Sequence, residues 1–463
     1  MSTQTDKTIN TVLGHLIKYK SIYLPLFLII TLSLPFLFRI LNHNYLLIST
    51  SSYHSLYSAT QINLSNFWQN PYHLILHLFS YLPHFPYLAQ IFTSLLGVLS
   101  LLLLNNITKR FNLSLKEEFF LLLFIILSPV FIFTFATLSH HSLFIFLLLA
   151  GFSALFSKNK FLKSLSYIPF FLIPFFDLFS SFLALLLLAL YFYLKKDNYV
   201  KPLGIMIFLL TSLNLVLGKP FLLGPYLSQN ILFDLFSDLG GIFGLSLFAF
   251  LLAIIGLTIT WKKNKFYLTY FFLPFFIPLY IYQTSSLIYL NFILLIFATF
   301  GFVYLFNKEW KLQIIKNATI FLLILGIIFS TLTCIDRLST LSPTPELEET
   351  LLALKDQPIL TPDKIFSTTE NSYLIQYFSQ KDPFLTFDDP LYDEKFYLSQ
   401  EVLSSSYPSV SFPILERHHI SHILITEQMQ NTLPHDQGLL FIFKNERFKR
   451  IHLSEQNEIW EFN

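Results

Sequence analysis

The stretch IYLPLFLIITLSLPFLFRIL at residues 22–41 carries a single charge, Arg39. A helix of this length crosses a hydrocarbon core of about 30 Å, which takes roughly 17 to 25 residues. Similar runs recur along the chain, which is 54% hydrophobic and 13% charged, with a mean hydropathy of +0.58. The sequence therefore predicts a polytopic α-helical membrane protein.

About eleven apolar runs are candidates for membrane spans. They lie at 22–41, 89–105, 119–137, 142–157, 161–176, 178–194, 202–218, 239–260, 266–283, 287–306 and 317–334. The fifth and sixth runs adjoin, and we predict a hairpin of two short helices that turns near Asp177. A single span there would move every later loop to the opposite side of the membrane. The distribution of Lys and Arg between the loops therefore requires the hairpin.

The cations indicate the orientation, because cytoplasmic loops of membrane proteins accumulate Lys and Arg. Between Ile22 and Cys334, only Arg39 and Lys219 fall on the opposite side from the cation-rich segments. The amino terminus is therefore predicted to be cytoplasmic and everything after Cys334 extracytoplasmic, in a multi-pass protein of the cell membrane. The cation-rich segments hold three residues each: Lys7, Lys18, Lys20; Lys109, Arg110, Lys116; Lys158, Lys160, Lys163; Lys195, Lys196, Lys201; Lys262, Lys263, Lys265; and Lys308, Lys311, Lys316.

A change in charge marks the domain boundary. Residues 1–335 carry 20 Lys and Arg against 8 acids, whereas residues 336–463 carry 10 against 20. The second segment is long enough for one α/β domain, so we predict a multi-span domain over 1–335 and an extracytoplasmic α/β domain over 336–463. Its predicted helices are 345–356, capped by Thr344, 370–379 and 393–404. Its predicted strands are 358–361, 384–387, 420–426 and 439–443, followed by a hairpin of 449–454 and 457–462.

The first outer loop, residues 42–88, has no Asp, Glu, Lys or Arg but five histidines: His43, His54, His73, His77 and His84. No Walker loop, paired CxxC, HExxH or glycine-rich dinucleotide turn is present anywhere in the chain. No nucleotide cofactor and no nucleic-acid partner are therefore expected. The chemistry is left to scattered polar residues at the outer face.

The layout and three short segments resemble the GT-C glycosyltransferases, in particular relatives of the oligosaccharyltransferase catalytic subunit. The segments are STSSYHSLYSA at 49–59, NPYH at 70–73 and SDLGG at 237–241. The resemblance extends over most of the chain and implies transfer of a sugar from a polyprenyl-phosphate-linked donor to a protein or glycan acceptor. The partners would be the lipid bilayer, that donor and that acceptor.

The family carries an acid at the start of the first loop, where it serves as a base or positions a metal. Here the matching positions are Thr50 and Ser51, and neither can act as a carboxylate. The tail also lacks the WWD-type acceptor-binding motif of oligosaccharyltransferases. The resemblance leaves Thr50 and Ser51, with Tyr53, His54 and His73, as candidates for binding a sugar or phosphate.

An inverting transfer needs a base for the nucleophile and a cation for the departing phosphate. The outward acids of the multi-span domain are Asp177, Asp234 and Asp238, and these are the candidate catalytic residues. Asp177 is equally explained as a helix cap at a turn, and Ser237 or Asp238 could cap the following helix. The candidate phosphate partners are Arg39, Lys219 and Arg337.

The pairs His73–His77 and His140–His141 also suggest a metal, because imidazole suits transition ions. Interfacial packing is the alternative explanation for these histidines. The cofactor is unknown at this stage: a divalent ion such as Mg²⁺ or Mn²⁺ is compatible with the family. Three functions stay open: an active transferase, an inactive GT-C-like protein that binds lipid-linked glycan or a partner enzyme, and a transporter or flippase.

Overall fold

The computed structural model describes residues 11–12, 14–44, 46–62, 70–111, 113–216, 234–242, 244–261, 280, 285–357, 363–386, 389, 391–434, 437–454 and 457–462. The chain divides into two compact units. The helical unit comprises Met1–Phe38 with Ile62–Ser339, and the tail unit comprises Arg39–Gln61 with Thr340–Asn463. The predicted division at residue 335 into a membrane domain and an outer domain stays a prediction.

Five described helices are long and apolar enough to cross a membrane: Lys20–Leu41, Phe85–Thr108, Leu178–Lys195, Ser286–Asn307 and the helix that begins at Gln313. The last of these ends its regular structure at Thr340. Leu115–Ile126 and Pro129–Ala136 give a sixth crossing if they form one span bent by 54°. Shorter apolar helices are His140–Leu155, Val200–Val216 and Leu247–Thr260. The protein is thus a polytopic helical membrane protein, as predicted.

These helices coincide with nine of the predicted runs, and the run 266–283 lies outside the described residues except for Tyr280. The run 161–176 is divided into Lys160–Leu165, Tyr167–Leu172 and a 3₁₀ turn at Ile173–Phe175. Pro169 and Pro174 explain the breaks, since proline lacks an N–H and clashes with the carbonyl four residues earlier. The predicted turn near Asp177 is confirmed, because Asp177 is extended immediately before Leu178–Lys195.

Two glycines let the helices Leu247–Thr260 and Ser286–Asn307 pack along one another. A Cβ on Gly256 would lie 1.8 Å from the carbonyl oxygen of Phe297, and one on Gly301 would lie 2.1 Å from that of Leu252. Small residues of this kind allow helix backbones in membranes to approach closely. Elsewhere in the helical unit, a buried ion pair joins Lys20 and Glu118.

The tail unit contains a four-stranded sheet in the order β1 (Lys364–Phe366), β2 (Ile420–Ile425), β4 (Asn457–Phe462) and β3 (Phe448–Ser454). β1 is parallel to β2, and the other two pairings are antiparallel. The strand predicted at 420–426 and both arms of the final hairpin are confirmed. The predicted strand 358–361 lies outside the described residues.

Helices cover the sheet. Pro345–Lys355, capped by the Thr344 hydroxyl, and Tyr392–Ser404 match the prediction. The predicted helix 370–379 is divided into Thr369–Asn371, Ser372–Leu374 and the π-helix Ile375–Ser379. Pro408–Arg417 and Glu427–Thr432 were not predicted. The buried core between these layers includes Phe366, Phe384, Val402, Leu415, Ile423 and Ile425.

Two predicted strands of the tail are wrong. Residues 439–443 belong largely to the helix Gly438–Ile442, whose Leu439 and Ile442 are buried in the core three positions apart. A five-residue apolar run fits a strand and a helix equally well by pattern alone. Residues 384–386 of the predicted strand 384–387 are irregular, and only an isolated bridge between Ile365 and Pro383 lies nearby.

Candidate functional site

Asp177 begins the helix Leu178–Lys195. Its Oδ1 accepts a hydrogen bond from the backbone N–H of Ser180 at 2.6 Å, and its Oδ2 accepts one from the Ser180 hydroxyl at 2.7 Å. This is the helix-capping role that the sequence offered as one explanation. The side chain is nevertheless 25% exposed, and a carboxylate has about four acceptor positions. The capped aspartate therefore keeps acceptor capacity for a further partner.

That further partner is a histidine pair at the start of another helix. His140 is the first residue of His140–Leu155, and its Nε2 lies 3.6 Å from Oδ2 of Asp177. The ring of His141 lies 4.0 Å from that of His140, and its Nδ1 is 3.2 Å from the hydroxyl of Tyr289. His141 is buried whereas the His140 side chain is 34% exposed. The helical unit thus gathers a carboxylate, two imidazoles and a phenol.

Asp238 is held between two helices. Its Oδ2 accepts from the backbone N–H of Leu247, the first residue of Leu247–Thr260, at 2.7 Å. Its Oδ1 accepts from the hydroxyl of Ser330 at 2.6 Å, and that hydroxyl lies 2.8 Å from the hydroxyl of Ser246. The N-cap residue of that helix is Ser246 and not, as the sequence suggested, Ser237 or Asp238; Asp238 accepts the first N–H of the helix and ties it to the helix Gln313–Thr340.

Arg337 contacts the turn at residues 234–242, which contains Asp238. Its Nη1 donates to the carbonyl oxygens of Ser237 and, at 2.9 Å, of Gly241. A Cβ on Gly241 would lie 2.4 Å from the carbonyl oxygen of Asp234, so the backbone is tightly folded here. Asp234 itself stands at the start of the described turn and is half-buried.

Arg39 belongs to the tail unit and is fully buried. Its Nη1 donates to the carbonyl oxygen of Leu341 at 2.6 Å, and its Nη2 donates to that of Pro343 at 3.2 Å. Both contacts hold the segment that leads into the helix Pro345–Lys355. Lys219, the remaining cation predicted to bind phosphate, lies outside the described residues.

The first loop contributes the helix Thr50–Thr60 to the tail unit. Tyr53 is buried, with its ring 5.1 Å from the rings of both Tyr377 and Phe378. The His54 ring lies 4.0 Å from that of Tyr373. Aromatic packing therefore attaches this helix to the tail segment 372–379.

Thr50 and Ser51 stand at the first turn of that helix, where Ser51 is exposed and Thr50 half-buried. The Ser51 hydroxyl lies 3.1 Å from that of Ser49, whose φ of 72° is unusual for a residue with a side chain. Burial, reinforced by the Asp382 carboxylate, raises the pKa of Tyr57 in the same helix.

His73 lies in the helical unit, half-buried in the helix Pro71–Ser80, which contacts the helix His140–Leu155. It is therefore in a different unit from Thr50, Ser51, Tyr53 and His54. In the same helix, Nε2 of His77 lies 3.1 Å from the hydroxyl oxygen of Tyr81.

The described residues contain no group of three His, Cys, Asp or Glu side chains arranged to hold a metal ion. The Asp177 oxygens both accept from Ser180, and His141 Nδ1 faces Tyr289. These hydrogen bonds occupy one acceptor position on each Asp177 oxygen and the Nδ1 of His141, and the described side chains do not assemble a metal site.

Sequence reasoning found Asp177 and the histidine pair but missed Ser180 and Tyr289. The backbone contact of Ser180 could have been recognised, because a capping aspartate accepts from the backbone N–H two or three residues later. Tyr289 is one of 24 tyrosines and lies far from His141 in sequence. Its contact follows only from helix packing.

No family model and no curated protein matches the chain. Solved structures of the oligosaccharyltransferase from Archaeoglobus fulgidus are similar to it at 10–12% identity. The complex with an acceptor peptide containing the NVT sequon superposes with a TM-score of 0.57, covering 89% of this chain and 70% of that one.

Two further complexes of this archaeal enzyme match as well. The one with an inhibitory peptide and a dolichol-phosphate has a TM-score of 0.53 over 89% of this chain and 70% of that one. The one with zinc and sulfate has a TM-score of 0.50 over 87% and 68%. At this identity the likeness shows the fold alone: the chain shares the fold of the archaeal oligosaccharyltransferase over 87–89% of its length.

Proposed function

We propose that this chain is a membrane glycosyltransferase that transfers a sugar from a polyprenyl-phosphate-linked donor to a protein or glycan acceptor. The observation that carries the proposal is the partly exposed Asp177 carboxylate beside His140 in a chain of GT-C fold. The distribution of Lys and Arg supports a cytoplasmic amino terminus and an active face outside the membrane.

Asp177 is the residue best suited to act as the base. In an inverting transfer, the acceptor oxygen or nitrogen attacks the anomeric carbon, and the bond from that carbon to the phosphate oxygen breaks. The phosphate leaves with the electron pair, and the proton of the nucleophile passes to the carboxylate. Ser180 holds the Asp177 carboxylate in one orientation while leaving it accessible.

Asp234 and Asp238 remain candidates predicted from the sequence, but Asp177 is preferred over Asp238. Each oxygen of Asp238 accepts a hydrogen bond that joins two helices. Recruiting that carboxylate as a base would break the contacts that hold the turn. Thr50, Ser51, His54 and His73 remain proposed sugar contacts, whereas the ring packing of Tyr53 supports a structural role.

The donor class is supported by a similar structure. The archaeal oligosaccharyltransferase has been solved with a dolichol-phosphate and with acceptor peptides. A polyprenyl phosphate is therefore the carrier proposed for this chain as well. The acceptor is left as a protein or a glycan, because the tail lacks the WWD-type motif.

The test is sugar transfer by the purified protein in lipid nanodiscs, with a radiolabelled polyprenyl-phosphate sugar and candidate acceptors. Asp177→Asn keeps a capping oxygen but removes the base, so turnover should fall by roughly 10²- to 10⁴-fold. Asp197→Asn is the matched control, because Asp197 pairs with Lys163 at 2.6 Å in a segment predicted to be cytoplasmic. Equal turnover of Asp177→Asn and the unmodified protein would contradict the assignment.

A catalytically inactive protein that binds lipid-linked glycan is the second candidate. It is favoured by Thr50 and Ser51, which occupy the positions of the family's loop acid. This candidate predicts that the purified protein retains labelled donor in a filter-binding assay yet transfers no sugar to any acceptor offered. Transfer by the protein alone would eliminate it.

A further inference from the structure

Two lysines from different helices converge on one aromatic ring in the helical unit. Nζ of Lys116 lies 5.1 Å from the centre of the Phe306 ring, and Nζ of Lys316 lies 5.5 Å from it. The lysines belong to the first turns of Leu115–Ile126 and Gln313–Thr340, and Phe306 lies at the end of a third helix. These three side chains form the Phe306 cluster, at which the ends of three helices meet.

The Phe306 ring holds the two ammonium groups close together. It packs against the rings of Phe120 and Phe302, each 6.4 Å away, and an aromatic ring attracts a cation through its quadrupole. The ring carries no net charge, however, so it cannot cancel the repulsion between two like charges at this separation. An anion placed at the cluster would therefore be stabilised.

Neither lysine is explained by an ion pair or by the stability of its own helix. Among the described residues, no ion pair includes Lys116 or Lys316. The carboxylate of Glu117, next to Lys116, accepts from the backbone N–H of Ser114 at 2.7 Å and closes a capping box. A cation in the first turn of a helix is also opposed by the helix dipole. Both positive charges are thus left for a ligand from outside the chain.

The segment between Phe306 and Lys316 adds positive charge and exposed apolar surface. Lys308 and Lys311 are exposed, and the one acid in this segment is Glu309. A surface that combines cations with exposed apolar side chains suits the membrane interface, where headgroups meet acyl chains. The apolar side chains of this segment and of the start of the helix 115–126 that are at least half exposed are Leu115, Leu312, Ile314 and Ile315.

From these observations we infer that the Phe306 cluster binds the phosphate headgroup of an anionic phospholipid, whose acyl chains lie against the exposed apolar side chains. Basic pockets between transmembrane helices bind headgroups of this kind. The distribution of Lys and Arg predicts that this side of the protein is cytoplasmic, and anionic lipids give the cytoplasmic leaflet its negative surface potential. The lipid would offset the repulsion between Lys116 and Lys316 and hold the three helix ends together. The inference is independent of the proposed transfer reaction.

The test measures binding of phosphatidylglycerol to the full-length protein in detergent micelles by native mass spectrometry. Phosphatidylcholine, with the same acyl chains and no net charge, is the control ligand. Lys116→Gln combined with Lys316→Gln should weaken phosphatidylglycerol binding by roughly ten- to thirtyfold, because each lysine contributes about fivefold to the attraction of an anionic headgroup. Lys116→Arg combined with Lys316→Arg should bind as the unmodified protein does, since arginine keeps the charge and also stacks on aromatic rings.

Lys158→Gln combined with Lys195→Gln is the matched control. It removes two exposed lysines from cation-rich segments that are predicted to lie on the same side of the membrane. Phosphatidylglycerol binding should be unchanged in this control. An equal loss in the two glutamine double variants would overturn the inference, because binding would then follow the total charge of that side.

Phe306→Leu separates the arrangement of the cluster from its charge. It keeps every lysine and removes the ring that holds two of them, so the folded variant should bind phosphatidylglycerol roughly two- to fivefold more weakly. Full binding by Phe306→Leu, or by the variant that lacks Lys116 and Lys316, would refute the inference.

A soluble anion is the other occupant that the test distinguishes. Glycerophosphoglycerol has the headgroup of phosphatidylglycerol without its acyl chains. At equal concentration and constant ionic strength it should displace little of the bound lipid. Displacement of most of the lipid would overturn the assignment to a phospholipid, since the phosphate alone would then account for the affinity.

Discussion

Two aspartates of the helical unit stand at turns before helices, yet their surroundings differ. Asp177 caps its own helix; its carboxylate accepts from Ser180 and lies beside His140, and its side chain is 25% exposed. Asp238 receives hydrogen bonds from Leu247 and Ser330, which lie in two different helices. The Asp177 turn leaves its carboxylate accessible to a substrate, whereas the Asp238 turn uses its carboxylate to hold helices together. We propose that this difference separates a chemical role for Asp177 from a structural role for Asp238.

The largest loss of stability in this comparison is expected for Asp238→Ala. It leaves the first N–H of the helix Leu247–Thr260 and the Ser330 hydroxyl without their carboxylate partner, at a cost of about 3 kcal/mol in the free energy of unfolding. The thermal unfolding midpoint in detergent micelles reports the change. An unchanged midpoint would mean that the Asp238 contacts are not structural.

The backbone of the same turn should tolerate little bulk. A Cβ on Gly244 would lie 2.4 Å from the backbone nitrogen of Ser237, so Gly244→Ala should destabilise the protein by about 2 kcal/mol. Gly204→Ala in the helix Val200–Val216 is the control, because nothing lies within 4 Å of the added carbon. That control should be neutral or stabilising. Equal unfolding midpoints for the two variants would contradict the tight turn.

Arg337 tests whether the Asp238 turn also binds phosphate. Arg337→Gln removes the contacts to Ser237 and Gly241 and should cost about 1 to 2 kcal/mol of stability. Its binding of undecaprenyl phosphate should match that of the unmodified protein at a temperature where both are folded. A selective loss of phosphate-lipid binding would place the phosphate at this turn.

The smallest effect is expected at Tyr289, which lies beside the Asp177, His140 and His141 side chains. Tyr289→Phe removes the hydroxyl that contacts His141 and Ser180, each contact worth about 1 kcal/mol, so turnover should fall by roughly tenfold. Phe179→Leu is the packing control, because the Phe179 ring packs beside the same Tyr289 ring and has no polar group. A loss of turnover as large as that of Asp177→Asn would show that Tyr289 takes part in the chemistry.

The apolar runs predicted the fold because a membrane span needs little beyond length and hydrophobicity. The run at 22–41 became Lys20–Leu41, and the acid in the middle of 161–194 marked a turn. The run at 239–260 begins as a helix only at Leu247, since Asp238 lies in a 3₁₀ turn at Ser237–Leu239 and accepts from the Leu247 N–H. Short apolar runs of the tail carried less information. Residues 439–443 are mostly helical because Leu439 and Ile442 fill the core.

The candidate site was predictable only in part. Asp177 could be recognised because an ionisable residue within an apolar stretch is unusual. The contact between Asp177 and His140 depends on how separate helices pack, and no local pattern encodes it. The carbonyl partners of Arg39 and Arg337 were equally invisible in the sequence, where an outward arginine suggests a phosphate ligand.

One paired measurement tests the distinction between the two turns most directly: sugar transfer per folded molecule and unfolding midpoint for Asp177→Asn and Asp238→Asn in the same nanodisc preparation. We predict that Asp177→Asn unfolds like the unmodified protein but loses roughly 10²- to 10⁴-fold in turnover. We predict that Asp238→Asn unfolds at a lower temperature yet keeps its turnover while folded. A folded but inactive Asp238→Asn beside a fully active Asp177→Asn would contradict the account.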